Sequence, residues 1–298
     1  MQKREKYQKN SLVVPVVKWV GGKRQLLPEI KRYIPKNITT YVEPFLGGGA
    51  VLFELQPKKA IVNDFNSELI NVYNVIKENP EELILCLENH KNNNSEDYFY
   101  RIRALDRFPE YDGLSNVEKA SRLLYLNKTC YNGLFRVNKA GQFNTPYGKY
   151  KNPNIVNEVT IRAMSKYLNK NNIKMLTGDY KEALKNLRKG AFVYFDPPYL
   201  PISTSSSFTG YTENGFDIDK QIELRDECKK LSKRGISFLL SNSYSPDILE
   251  LYSDSTLFEI HIVQATRNVN SISDKRGEIN EVLITNVKTK KDNERKFN

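Results

Sequence analysis

Cysteine and histidine are scarce here. Cys86, Cys130 and Cys228 lie far apart with no C-x-x-C spacing, and His90 and His261 are the only histidines. Neither a disulfide framework nor a zinc site fits that pattern, and no metal is expected. Long apolar runs are also missing: SLVVPVV, after the charged arm MQKREKYQKN, is interrupted by Pro15 and runs straight into Lys18. It fails as the core of a signal peptide and is far too short to span a bilayer, so a cytoplasmic protein with no membrane partner is expected. The phosphate-cradling motif G-x-x-x-x-G-K-[ST] is absent. A dinucleotide fingerprint starting at Gly47 would want glycine at position 52, where Leu52 stands, so pyrophosphate-binding readings lose ground. Acidic residues are absent between Glu118 and Glu158.

Positive charge is present in excess. Lys plus Arg number 46 against 35 for Asp plus Glu, a formal charge of +11 over 298 residues. That balance suits a polyanionic partner, or simply a basic soluble protein, and distribution decides between them. The acid-free span 119–157 carries Lys119, Arg122, Lys128, Arg136, Lys139, Lys149 and Lys151, interleaved with Tyr125, Tyr131, Phe135, Phe143, Tyr147 and Tyr150. A charge run is usually a solvated face, but one purged of acids over this length suits phosphates, with aromatics to fill a distorted base stack.

Strand-like and helix-like segments alternate at both ends of the chain and indicate a parallel, doubly wound α/β sheet. KWVGGKRQLLPEIKRYIP (18–35) reads as a helix ending before Pro35, TTYVEPFLGGGAVLFEL (39–55) as strand, glycine turn and helix, and KAIVNDFNSELINVYNVIKENP (59–80) repeats that plan. Between about 80 and 160 the alternation is lost to helix-like stretches and a loop-rich segment. It resumes with IKMLTGDYKEALKNLRKGAFVYFDPPY (173–199), GISFLLSNS (235–243), LFEIHIVQA (257–265) and EINEVLITN (278–286). The simplest architecture is one α/β domain with an insertion; VKTKKDNERKFN reads as a solvated tail.

Three motifs carry chemistry. FVYFDPPYL (192–200) runs a buried strand into Asp196, Pro197, Pro198 and Tyr199. Two prolines fix φ and remove two donors, so the chain leaves the sheet stiff, with its carbonyls able to accept. An exocyclic amino group on adenine or cytosine is a weak nucleophile that must be held in line with an electrophile while acceptors draw on its hydrogens. Asp196 and the carbonyl of Pro197 suit that role, and Tyr199 suits stacking on a base taken out of its helix. A plain acid-Pro-Pro turn is the bland alternative. GGGA (47–50), after a strand and opening a helix, stands where open α/β sheets hold ligands. Asp64 ends the next strand, where a carboxylate accepts from ribose hydroxyls or caps the following helix. A nucleoside cofactor without an essential diphosphate, S-adenosylmethionine, fits these features.

Together KWVGGKRQLLP (18–28), VEPFLGGGA (42–50), VNDFNSELI (62–70), YNGLFRVNKAGQFNTPYGKYKNP (131–153), YFDPPY (194–199) and FTGYTENGF (208–216) resemble the Dam-type DNA adenine-N6 methyltransferases, which methylate adenine in GATC. The resemblance covers most of the chain from Lys18 to Asn286. It implies a Rossmann-like S-adenosyl-L-methionine-dependent catalytic domain over 11–70 and 158–288, an inserted, mainly helical and loop-built target-recognition domain over 71–157, and a basic tail over 289–298. It further implies that Trp19 and Lys23 contact the cofactor, that Glu43, Phe45 and Gly47, Gly48 and Gly49 line its pocket, that Asp64 takes the ribose, and that Asp179 and Tyr180 take the adenine. The bland readings are a core Trp19 and an Asp179 that caps a helix. For double-stranded DNA it implies Arg136 on a guanine edge, Lys18 on the outer guanine, and Leu134 and Pro146 on thymine methyls. Asn144 would support adenine or backbone contacts, Tyr131 with Asn132 would wedge into the stack, and Lys149 and Lys151 would hold phosphates. Lys149 stands where the family often has Arg, a point charge in place of a fork.

Other readings are amino-methylation of cytosine N4 or RNA adenine, and a catalytically silent DNA-binding regulator. Cytosine C5 chemistry is disfavoured because none of the three cysteines follows a proline. A nicotinamide oxidoreductase is disfavoured by the missing third glycine.

Overall fold

The computed structural model describes residues 9–200, 216–266 and 278–288. Residues 1–8 of the basic arm, residues 208–215 of FTGYTENGF and the tail 289–298 lie outside the described residues. In chain order the elements are α1 (Leu27–Arg32), β1 (Thr40–Glu43), α2 (Ala50–Leu55), β2 (Lys59–Asp64), α3 (Ser67–Glu78), α4 (Pro80–Asn92), α5 (Glu96–Ala104), α6 (Asn116–Thr129), α7 (Glu158–Lys170), β3 (Asn172–Thr177), β4 (Ala191–Phe195), α8 (Ile218–Lys233), β5 (Ser237–Ser243), α9 (Pro246–Leu251), β6 (Glu259–Thr266) and β7 (Glu278–Thr285). Two compact units emerge. The helical unit takes in Met1–Gly22, Gly47–Lys58 and Ser67–Ile173, and the sheet unit Lys23–Leu46, Lys59–Asn66 and Lys174–Asn298.

The sheet unit is built on a seven-stranded sheet of order β3-β2-β1-β4-β5-β7-β6. β1 pairs in parallel with both β2 and β4, and β4 in parallel with β5. All five residues of β4 are buried, as expected of a strand covered on both faces. Val193, Phe195, Phe238 and Leu240 join Leu224, Cys228 and Leu231 of α8 and Val282 and Ile284 of β7 in one apolar cluster. From β1 the chain builds β2 and β3 on one side and returns to add β4 on the other. The carboxyl ends of β1 and β4 therefore flank a topological switch point, where such sheets bind ligands.

The sheet departs from the all-parallel expectation at one edge. β7 lies between β5 and β6 and is antiparallel to both. Residues 267–277 alone separate β6 from β7, fewer than the dozen or more that a crossover to a parallel neighbour requires.

In the helical unit α6 packs on α3, α4 and α5, and α7 packs on α3 and α4. A capping box starts α6: the Ser115 hydroxyl accepts from the Glu118 N–H while the Glu118 carboxylate accepts from the Ser115 N–H, satisfying two otherwise orphaned donors. The helix is buried from Ala120 to Asn127, Arg122 included. Arg122 and Tyr125 are thus taken from the face offered to phosphates and bases, because a central helix must bury its whole circumference.

Candidate active site

The sheet unit places Asp196 at the carboxyl end of β4, where its Oδ1 accepts from the buried Lys23 Nζ at 2.8 Å and from the Ser241 hydroxyl at 3.1 Å. Burial raises the Asp196 carboxyl above its usual value of 3.8, Lys23 pulls the other way, and Glu281 adds to the rise. Lys23 Nζ also lies 4.7 Å from the centre of the Tyr199 ring. The cation thus touches both the acid and the aromatic of the tetrapeptide. The Tyr199 hydroxyl donates to Glu281 Oε2 at 2.7 Å, and burial holds that phenol well above 10.

Behind the turn stands a second layer that the motifs did not reveal. Gln221 Nε2 donates to the Pro198 carbonyl at 3.0 Å, and Gln221 Oε1 accepts from Asn242 Nδ2 at 2.9 Å. Both side chains are fully buried. The Tyr194 hydroxyl and Ser241 Oγ are 3.0 Å apart. The signal for this layer was the run Ser241-Asn242-Ser243, polar at the end of an otherwise apolar strand. Gln221, inside a polar helix, gave none. A stiff turn whose carboxylate and carbonyl are fixed by buried partners is preorganised to hold a planar amino group.

The carboxyl ends of the neighbouring strands are tied by Asn63, whose Nδ2 donates to the carbonyls of Pro44 at 3.1 Å and Gly178 at 2.9 Å. The Gly178 N–H donates to the Asp64 carbonyl at 3.1 Å. This brings Glu43, Phe45, Asp64, Asp179 and Tyr180 to one edge. Glu43 is buried and accepts from the Tyr41 hydroxyl at 2.8 Å. Phe45 stacks on Tyr180 with ring centres 5.1 Å apart, and Phe216 meets Phe45 edge-on at 5.6 Å. Asp64 Oδ1 caps the Asn66 N–H at 2.9 Å and Asp179 Oδ1 the Lys181 N–H at 2.8 Å. Both acids therefore do local capping work, and Asp179 Oδ2 also lies 3.6 Å from Lys181 Nζ. Aromatic faces beside two carboxylate acceptors at strand ends fit an adenosine, whose hydroxyl and amino groups donate.

In the helical unit, Gly47 and Gly49 both adopt positive φ. A Cβ on Gly47 would come within 3.0 Å of the Trp19 indole, and one on Gly49 within 2.6 Å of the Phe53 ring. Only glycine lets the backbone pass so close. Gly48 takes the middle of that turn. Trp19 stacks on Phe135, in the segment that follows α6, at 4.8 Å with planes 24° apart.

That segment forms a hairpin with antiparallel bridges Cys130–Tyr147 and Val137–Phe143. Asn127, a buried residue that no motif singles out, bonds both main-chain groups of Lys18, at 2.9 and 2.8 Å, and donates to the Gly133 carbonyl. Tyr131 is 57 % exposed, and its N–H donates to the Pro146 carbonyl. Asn132 stands at φ 55, a left-handed position Asn tolerates. Arg136 Nε donates to Asn144 Oδ1 at 2.6 Å and its Nη2 to the Asn144 carbonyl at 3.3 Å. The Leu134 carbonyl accepts from Thr145. Pro146, Lys149 and Lys151 are exposed, with Lys149 Nζ 3.4 Å from Glu96. Phe143 is buried, so of the interleaved aromatics it is Tyr131 and Tyr150 that are the more open ones.

Residues 19–269 match the family of D12 class N6 adenine-specific DNA methyltransferases. The chain is 50% identical over 280 residues to the type II methyltransferase M1.LlaDCHI of Lactococcus lactis subsp. cremoris, covering 94% of this chain and 98% of that one. It is 42% identical over 295 residues to the type II methyltransferase M.MjaIII of Methanocaldococcus jannaschii, covering 92% and 99%. It is 32% identical over 270 residues to the DNA adenine methylase of Salmonella typhi, covering 90% and 93%.

Proposed function

Because the chain belongs to the D12 class of N6 adenine-specific DNA methyltransferases, which draw their methyl group from S-adenosylmethionine, we propose that its target is the adenine of duplex GATC, flipped out of the helix to reach Asp196–Tyr199. The observation that carries this reading is the tetrapeptide at the switch point, with Asp196 held by Lys23 and Ser241 and the Pro198 carbonyl held by Gln221.

When bound, S-adenosylmethionine supplies an electrophilic methyl on its sulfonium. This chain's part is to make a weak nucleophile adequate and to hold it still. Lys23 and Ser241 occupy Asp196 Oδ1, so Oδ2 takes one hydrogen of the adenine amino group. Gln221 occupies the Pro198 carbonyl, so the Pro197 carbonyl takes the other. Both bonds pull the nitrogen lone pair out of conjugation. The N–C bond would form as the S–C bond of the methyl group breaks, its electron pair staying on sulfur as a thioether, so that the positive charge passes to the nitrogen, which gives up a proton. A carboxyl raised by burial is the better base for it. Tyr199, its hydroxyl fixed by Glu281, stacks on the base.

Asp64 takes the ribose hydroxyls, and Asp179 with Tyr180 and Phe45 the adenine of the cofactor. Glu43, Trp19, Lys23 and the turn Gly47–Gly49 complete the cofactor residues. The DNA-reading insertion is 71–157. In it, the side-on edge of Arg136 grips Asn144, leaving Nη1 and the second Nη2 hydrogen for guanine O6 and N7. Lys18, Leu134 and Pro146 contact the remaining base pairs. Tyr131 and Asn132 fill the vacated stack, and Lys149 and Lys151 hold phosphates. GATC rests on the likeness of residues 131–153 to GATC readers.

Labelled methyl transfer to duplexes carrying GATC or its single-base variants, with the modified base identified after digestion, tests both parts. N6-methyladenine formed in GATC at least tenfold faster than in any variant is expected. Equal rates in the variants would remove GATC as the site, and label in cytosine would remove the adenine assignment.

A further inference from the structure

The hairpin that carries Arg136 and Asn144 is held at its backbone by three side chains from one short stretch. Asp106 Oδ2 accepts from the Phe143 N–H at 2.7 Å, Arg107 Nη2 donates to the Phe143 carbonyl at 2.9 Å, and Arg103 Nη1 donates to the Thr145 carbonyl at 3.2 Å. These bonds bracket Asn144, the residue that grips the Arg136 guanidinium. The Asn144 N–H in turn donates to the Arg136 carbonyl at 2.9 Å. Asp106 and Arg107 are themselves fixed, and the Arg103 guanidinium lies 4.7 Å from the centre of the Tyr100 ring. Asp106 Oδ1 bonds Arg107 at 2.6 Å, and Asp106 Oδ2 pairs with the buried Arg122 at 2.8 Å. Arg122 also donates to the carbonyls of Ile102 and Arg103 and lies 4.9 Å from the centre of the Tyr111 ring, whose hydroxyl donates to Glu68. The bonds thus lead from α3 and α6 to the hairpin through Arg122 and the stretch 103–107, with Asp106 at their centre.

We propose that Asp106, together with Arg103, is a positioning residue for sequence choice: it sets the register of residues 143–145 and so aims the Arg136 fork at its base. The inference rests on the reading of Arg136 as the guanine-reading residue. The physical warrant is the steep distance and angle dependence of a bidentate contact. A phosphate contact tolerates a hairpin that shifts by a few tenths of an ångström, because a point charge still finds an oxygen. A two-pronged bond to O6 and N7 does not. Loosening the hairpin therefore erodes discrimination before it erodes binding.

Asp106→Asn cannot satisfy Arg107, Arg122 and the Phe143 N–H at once, since one oxygen becomes a donor. It also leaves the buried Arg122 without its counter-ion and threatens folding. Arg103→Met is the second variant. It removes the bond to the Thr145 carbonyl and the contact of the guanidinium with the Tyr100 ring, keeps most of the side-chain volume, and leaves the Asp106–Arg122 pair intact. Arg136→Ala serves as the reference.

Methyl-transfer kcat/KM is measured on the GATC duplex and on duplexes altered at each base pair in turn, with melting temperatures alongside. Arg136→Ala identifies the base pair that it reads. At that pair Arg103→Met is expected to lower the wild-type discrimination by about tenfold, with the KM for S-adenosylmethionine unchanged, and Asp106→Asn, where it folds, to do the same or more. A merely structural role lowers the rate on every duplex equally. If Arg103→Met keeps the wild-type ratio at that pair while Arg136→Ala loses it, the positioning role is overturned and the base-reading role of Arg136 stands. If Arg136→Ala itself changes no ratio, the base-reading assignment falls, and the positioning role falls with it.

Discussion

Asp196 is asked to be charged in a place that disfavours charge. Burial raises its carboxyl and Lys23, 2.8 Å away, restrains the rise. In the proposed role Asp196 accepts amino hydrogens and has to be ionised, so methyl transfer is expected to be lost as pH falls through its folded pKa, with the midpoint of the acid limb above the 3.8 of an ordinary aspartate. Removing the restraining charge moves that limb further. Lys23→Met is expected to shift the acid limb of kcat upward by about one pH unit or more, read from single-turnover rates across pH. An unmoved limb would show that Asp196 does not titrate in the step. Asp196→Ala is expected to abolish transfer while cofactor binding by equilibrium titration stays within a few-fold; transfer within tenfold of the parent would refute the acceptor role. Gln221→Leu tests the support behind the turn. It orphans Asn242 Nδ2 as well as freeing the Pro198 carbonyl, so it should cost roughly 1–3 kcal/mol of stability in addition to lowering kcat, measurable by denaturant titration.

The helices carry their own titration. On α4, His90 stacks on Tyr125 of α6 with ring centres 4.8 Å apart, its Nδ1 lies 2.7 Å from the Tyr98 hydroxyl of α5, and its Nε2 lies 3.4 Å from Ser121 Oγ. Burial pushes this imidazole down to about 4. The neutral ring's contribution to stability is complete above 6.5 and is lost as pH falls toward and through 4, because the unfolded chain takes up the proton first. The loss amounts to at most roughly 3 kcal/mol. His90→Gln, which does not titrate, should flatten stability between pH 6.5 and 4 in denaturant melts; an unchanged slope would assign the acid sensitivity elsewhere. At this scale the sequence was most readable where periodicity and punctuation agreed. The run Ala191 to Phe195 ending at Asp196 became β4 and the switch-point turn, and the stretch after Asp64 became α3. It was least readable where partners come from far along the chain. Nothing near Glu281 announces that it holds Tyr199, and nothing near Arg122 announces a buried cation paired with Asp106. A basic residue in an acid-free stretch looks the same from sequence whether it faces phosphate or a helix core. β7 shows the same limit, since a strand's own pattern does not state the direction of its neighbours.

Across the whole chain the excess of 46 basic over 35 acidic residues sets a long-range attraction to any duplex, and specificity has to be built on top of it. The two parts separate experimentally. Each phosphate-holding lysine contributes about one unit to the slope of log affinity against log salt. Lys149→Gln with Lys151→Gln is therefore expected to flatten that slope by roughly two units and to weaken GATC and unrelated duplexes alike. Arg136→Ala should leave the slope nearly unchanged and cost roughly 1–3 kcal/mol of discrimination. A double lysine variant that weakened GATC alone would move those residues from the phosphates to the bases.

The placement of β7 beside β5 has a consequence for the life history of the molecule. Of the described strands it is the last to be synthesised, yet it supplies Glu281, the carboxylate that holds Tyr199. A nascent polypeptide halted short of this stretch would have made every catalytic motif and still lack the brace on its aromatic clamp. A fragment that stops before residue 278 is therefore expected to transfer no methyl groups to DNA however much of it has already folded.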